Sequence, residues 1–172
     1  MIIKRFYKLQ KICLGDDKMF FADSLKQLDN SLLDEVGRSA NMIWLIFLKN
    51  DQTLALDIQC PCRFVNQNKI LLSSGDVYCP NSSFNGDYEE FNWDIQGNNL
   101  FDEISNSLTK DHDFFVKSYK INQYGDLQIC FTNDIFFEAI MNNSADEEQW
   151  RFFIKGSNEE HVVATPKGIT LE

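Results

Sequence analysis

The chain has 172 residues, 44% hydrophobic and 13% aromatic, with 26 acids against 16 Lys and Arg for a net charge of −10. A chain of this length closes one core without disulfide or metal staples, and its apolar content excludes a disordered tract. No apolar run approaches the roughly 18 residues of a membrane span, and the acidic balance opposes phosphate binding, so neither a membrane nor a nucleic acid is expected as partner.

Residues 1–11 carry four bases (Lys4, Arg5, Lys8, Lys11) and no acid, which leaves 26 acids against 12 bases in the remainder. This start has no continuous apolar stretch and no small-residue cleavage site. With five cysteines, an odd number, the expectation is reduced thiols and a cytoplasmic location. Residues 2–13 and 18–22 alternate loosely around Gly15-Asp16-Asp17 and predict a hairpin. Asp23 or Ser24 can cap a helix, and Leu25, Leu28, Leu32, Leu33 and Val36 follow the spacing of one helical face, with Gly37 as a stop.

Strand signals follow. They run over 44–48, then Thr53 to Cys60, where Leu54, Leu56 and Ile58 share one face and Asp57 takes the other. Pro61 interrupts, and Cys62 to Val65 and Lys69 to Ser73 continue beyond the bend. Residues 75–99 read as a long loop carrying Tyr78, Phe84, Tyr88, Phe91 and Trp93 among acids and glycines. A helix over about 99–108, a strand from Phe114 to Ile121 and a turn at Tyr124-Gly125-Asp126 come next.

The end of the chain then echoes its middle. Leu127-Gln-Ile-Cys-Phe matches Trp44-Leu-Ile-Phe-Leu, and Asn133-Asp134 matches Asn50-Asp51. Ile135-Phe-Phe-Glu-Ala aligns with Leu54-Ala-Leu-Asp-Ile, which sets Glu138 against Asp57. Trp150-Arg151-Phe152 matches Cys62-Arg63-Phe64, and His161-Val-Val-Ala matches Lys69-Ile-Leu-Leu. The expectation is a single α+β domain over 1–172, mostly antiparallel sheet, built from two duplicated β-meander units at about 44–72 and 127–164 with one or two helices.

Gly37-Arg38-Ser39-Ala40, Gln59-x-Pro61-x-Arg63, Gly75-Asp76, Gly125-Asp126-Leu127 and Trp150-Arg151-Phe152 resemble a widespread family of small bacterial proteins with no established activity. The resemblance covers roughly residues 23–172. Members often carry an aromatic where this chain has Cys62, and Ala or Asp at Ser39 and Asn41. Similar genes sit in neighbourhoods rich in toxin–immunity systems. The resemblance implies no catalytic residue.

Candidate chemistry is sparse. Cys60-Pro61-Cys62 with Cys79 lacks the paired four-ligand spacing of structural zinc, so no metal or cofactor is expected. The carboxylate pairs, Asp102-Glu103 among them, read as solvated turns and edges. Arg63 and Arg151 hold the same place in each repeat, so pairing with Asp57 and Glu138 would pin the halves together. An anion site is the alternative for that arginine pair. The functional expectation is a non-catalytic module that binds a protein, most plausibly a cytoplasmic immunity protein covering a basic toxin domain. Its contacts would come from Asp87, Tyr88, Glu89, Glu90, Phe91, Trp93 and Asp94, with Glu147 and Glu148. The alternatives are an enzyme acting on a small molecule through His112, Asp76 or Cys62, and a regulatory or structural module without a toxin partner.

Overall fold

The computed structural model describes residue 21 and residues 23–110 and 113–172. The expected hairpin over 2–22 and His112 therefore fall outside the described residues, apart from Phe21. Short alternating segments form eleven strands: β1 (Leu32–Ser39), β2 (Met42–Lys49), β3 (Gln52–Ile58), β4 (Cys62–Asn66), β5 (Lys69–Ser73), β6 (Phe114–Ile121), β7 (Leu127–Phe131), β8 (Ile135–Ala139), β9 (Trp150–Ile154), β10 (Val162–Thr165) and β11 (Gly168–Leu171). One α-helix, α1 (Leu100–Leu108), lies between β5 and β6. The fold is α+β, and every strand pairing is antiparallel.

Tight turns are placed by residues that tolerate positive φ. Asn50 (φ 54°) turns β2 into β3, and Asn133 (φ 65°) with Asp134 (φ 56°) turns β7 into β8. The strands lie in the order β11-β10-β9-β3-β2-β1-β6-β7-β8-β4-β5. Among the described residues the two halves of this sheet share backbone pairing only between β1 and β6, through the pairs Leu32–Phe115 and Leu33–Phe114. Each half is a three-strand meander, β1-β2-β3 or β6-β7-β8. The hairpin that follows each meander crosses to the other: β4-β5 pairs with β8, while β9-β10 pairs with β3.

This exchange locks the halves around one core. Leu45, Phe47, Leu56 and Phe152 from one half and Phe64, Phe131 and Phe137 from the other are at most 2% exposed. Phe47 stacks on Phe131 across the halves at 6.5 Å, and Phe64 packs on both Phe131 and Phe137. Each such ring contributes about 2 kcal/mol by leaving water. Trp150, fully buried, donates its indole N–H to the Gly125 carbonyl at 2.9 Å, joining β9 to the β6–β7 turn. Gly125 sits at φ +92°, and a Cβ there would run into Met141.

Two sequence expectations are corrected. The helical face drawn over 25–36 ends at Leu28: residues 23–25 and the 3-10 turn Lys26–Leu28 are helical, but Leu32 onward is strand. The cause is a β-bulge between Leu33 and Glu35. The extra residue turns the two-residue period of a strand into a three-residue step, so Leu33 and Val36 both face the core as they would on a helix. An equivalent bulge interrupts β6 between Val116 and Ser118. The second correction is one of register. Gln128 stands opposite Glu138, and Trp44 stands opposite Asp57. Leu127–Phe131 therefore corresponds to 43–47, one residue earlier than the alignment by sequence. A one-residue slip exchanges inner and outer faces, which is why Leu127 is buried and Gln128 is not.

Candidate functional site

The acidic, aromatic excursion is held by a buried ion pair. On the inner face of β1, Arg38 donates from Nε to Asp102 Oδ1 at 2.7 Å and from Nη2 to Asp102 Oδ2 at 2.9 Å, and both side chains are at most 2% exposed. The guanidinium also donates to the carbonyls of Ala40, Trp93 and Ile95. Asp102 accepts a further bond from the Gly97 N–H at 2.7 Å. Asn99 caps α1 by accepting from the Asp102 N–H, and its amide donates to the Trp93 carbonyl. One charged pair thus clamps β1, α1 and the chain at 93–97 together. The sequence pattern places Asp102 in a solvated carboxylate pair; it is instead buried, because the planar fork of Arg38 satisfies both of its oxygens.

Gly37 completes this corner. It pairs across from Trp44, and a Cβ on it would collide with the Trp44 ring. Gly37 is therefore no helix stop; it leaves room for Trp44 to lie over β1.

Between these fixed points the loop packs on itself. Phe84 meets Phe91 edge-on at 5.5 Å, Tyr88 meets Phe91 at 5.9 Å, and the Tyr88 hydroxyl donates to the Tyr78 carbonyl. Ser82 donates from its N–H and its hydroxyl to Glu103, bonds that hold this carboxyl below the usual range. Tyr88 is 68% exposed, and Asp87, Glu89, Glu90 and Asp94 are exposed. None of these four acids forms an ion pair with another described residue. Phe91 is half-buried within the loop's own cluster. Trp93 is half-buried: its ring packs on the core and meets Tyr78 at 5.2 Å. This packing fastens the loop to the body.

Of the second acidic segment, Glu147 is exposed, whereas Glu148 is committed. Its Oε2 accepts from Arg151 Nη2 at 2.6 Å and Nε at 3.0 Å.

The two repeat arginines behave differently. Both stand opposite the expected carboxylates in register, Arg63 opposite Glu138 and Arg151 opposite Asp57. Arg63 Nε donates to Glu138 at 2.8 Å, and Gln128 donates to the other Glu138 oxygen at 2.8 Å. Burial penalises the charged form of Glu138, but these two donors outweigh it and hold the carboxyl below its usual range. Arg151 turns away from Asp57 to Glu148, to Glu172 at 3.3 Å and to His161 Nδ1 at 3.1 Å. The expected Arg151–Asp57 bond is thus corrected: a neighbour three residues away in sequence outcompetes the cross-strand partner. The Asp57 carboxylate is left without a hydrogen bond among the described residues. Burial, then the Glu148 charge, pushes its carboxyl above the usual range despite Arg151 and Lys155.

Of the residues of the enzymatic alternative, His112 lies outside the described residues. Asp76 accepts the Ser73 N–H at 2.7 Å within a turn. Burial pushes the Cys60 and Cys62 thiols up to about 12, opposite to what activates a nucleophile. No helix among the described residues is long and apolar enough to cross a membrane. Compared with known protein families, curated proteins and solved structures, the chain matches none.

Proposed function

We propose that this chain is a non-catalytic protein-binding module, and specifically a cytoplasmic immunity protein that neutralises a bacterial toxin by covering a basic surface. One observation carries the reading: the loop around 84–94 shows solvent four unpaired acids and the Tyr88 ring while its backbone is tied down at both ends. A loop ordered before binding loses little entropy on association. Aromatic residues supply interface hot spots, and surrounding charges raise the encounter rate with a cationic partner. The resemblance to genes neighbouring toxin–immunity systems points the same way.

The test starts from the gene neighbourhood, where a large multidomain gene immediately upstream is the expected source of the toxin. Expressing its toxic domain should arrest growth, and co-expressing this chain should restore it. With that domain in hand, Tyr88→Ala combined with Phe91→Ala should weaken binding at least tenfold in a protein that retains its fold. Glu89→Lys combined with Glu90→Lys should slow association, most of all at low salt. Unchanged affinity in both variants refutes the loop as the contact.

A further inference from the structure

The outer face of β1-β2-β3-β9 carries a second surface, and the other half of the sheet supplies an internal control for it. Two neighbouring rows of side chains cross these strands. Register sets Glu35, Ile46, Ala55 and Phe153 in one row, and Gly37, Trp44, Asp57 and Arg151 in the next. Ala55 is small and 1% exposed, so it forms a floor between Ile46 and Phe153. Gly37 lets the Trp44 ring lie over β1, and the Phe153 ring is braced by His161 stacked at 4.7 Å. The result is a cleft of about 250 Å³, with apolar walls and with Glu35, Asp57 and Lys155 among its lining residues.

In the second half the equivalent rung is Gln128, Glu138 and Arg63. There the carboxylate is saturated, by Gln128 and Arg63 at 2.8 Å each. In the first half Trp44 replaces the glutamine and Arg151 is drawn off to Glu148. Asp57, half-buried between aromatic walls, keeps its acceptor capacity. Lys155 is exposed and pairs with neither Asp57 nor Glu35.

We propose that this cleft receives an arginine side chain from the protein partner, its guanidinium on the Asp57 carboxylate and its flat face against Trp44 and Phe153. A guanidinium fits because it is planar, permanently charged, weakly hydrated, stacks on aromatic rings and bonds a carboxylate in a fork. The cleft has room for about one such side chain. The cleft's lining holds two acids and one base, the neighbouring Arg151 is neutralised by its pair with Glu148, and the chain carries a net charge of −10, so a cation is favoured. This inference rests on the reading of the chain as a module for a basic protein, and it identifies a contact remote in sequence from the acidic loop.

The test titrates the full chain, labelled with ¹⁵N, with the capped tripeptide Gly-Arg-Gly and with its citrulline counterpart, which is neutral and nearly the same shape. The Trp44 indole signal, assigned by its loss in Trp44→Phe, should shift with the arginine peptide and not with the citrulline one. Asp57→Asn should weaken the arginine peptide at least tenfold, while Glu138→Gln at the equivalent rung leaves it unchanged. Ala55→Val, which raises the floor, should weaken it as well in a protein whose remaining spectrum is intact. Equal shifts from both peptides, an unaffected Asp57→Asn variant, or no shift at all overturns the proposal. Agmatine binding at least tenfold more tightly than the peptide also overturns it, because the cleft would then serve a free small cation. Tyr88→Ala should not change the peptide shift, so failure of the cleft and failure of the loop are read separately.

Discussion

Replacing Arg38 by Met tests whether the loop is ordered by the buried ion pair or by its own aromatic packing. Methionine keeps much of the unbranched length of arginine and removes the charge. It leaves the Asp102 carboxylate 2% exposed, with the backbone N–H of Gly97 as its remaining donor, and it deprives the carbonyls of Trp93 and Ile95 of a donor. Breaking one side of a buried pair costs roughly 3–5 kcal/mol, since the remaining charge stays desolvated. That is a large share of a typical total of about 5–15 kcal/mol and corresponds to a fall in Tm on the order of 10 °C for a chain this long. Equilibrium urea unfolding gives the global loss, and native-state proteolysis followed by mass spectrometry locates it. Cleavage should concentrate within 79–99 in Arg38→Met while the strands stay protected. Adding Asp102→Leu removes the stranded charge and should recover a good part of the loss, because a buried pair exchanged for apolar groups is often near neutral. Recovery should stop short of complete, because Arg38 also serves three carbonyls. A loss below about 1 kcal/mol for Arg38→Met, or unaltered protection of 79–99, would refute the clamp.

Four further outcomes follow from the geometry. At neutral pH Glu138→Gln should destabilise by about 1 kcal/mol, a charged hydrogen-bond contribution discounted because Arg63 is 43% exposed. The depressed Glu138 value makes that contribution present above the ordinary glutamate pKa of about 4.3 and lost as the pH falls below it. Asp57→Asn should do the reverse. Its carboxyl is raised, so the charged form works against folding at neutral pH and is relieved as the pH falls through that raised value. The variant should be at least as stable as the parent at pH 7, with its advantage shrinking in acid, and a clear destabilisation at pH 7 would count against an unpaired Asp57. Alkylation at pH 8 followed by peptide mapping should label exposed Cys79 and spare Cys60 and Cys62. With thiols pushed to about 12, only about one in 10⁴ is thiolate at that pH, and labelling at the Cys79 rate would show the bend around Pro61 to be open. Gly37→Ala should cost about 1–3 kcal/mol by overpacking against Trp44, and the double variant with Trp44→Ala should not add that cost again.

Strand content, the principal turns and most of the core were legible because they follow from short-range chemistry. Leu54, Leu56 and Ile58 alternate with a polar partner, asparagines mark the tight turns, and Pro61 ends a strand, so period and punctuation alone place these elements. The Arg63–Glu138 contact was legible for a different reason: matching positions in two similar segments narrow the choice of partners. Two features defeated local reading. A bulge changes the period of β1 without changing its composition, so Leu33 and Val36 carry a helical spacing inside a strand. A register shift of one residue leaves the hydrophobic pattern plausible while exchanging the faces of β7. The remaining features belong to tertiary structure because their partners lie far apart in the chain. Arg38 and Asp102 are 64 residues apart, and neither looks buried by type. Arg151 had an expected partner and a better one nearby, and only the side-chain geometry decided that Asp57 would be left open. Composition thus sets that the chain folds and which charge it carries, whereas the exchange of hairpins between two meanders decides which of its carboxylates are consumed inside the fold and which are left without a partner within it.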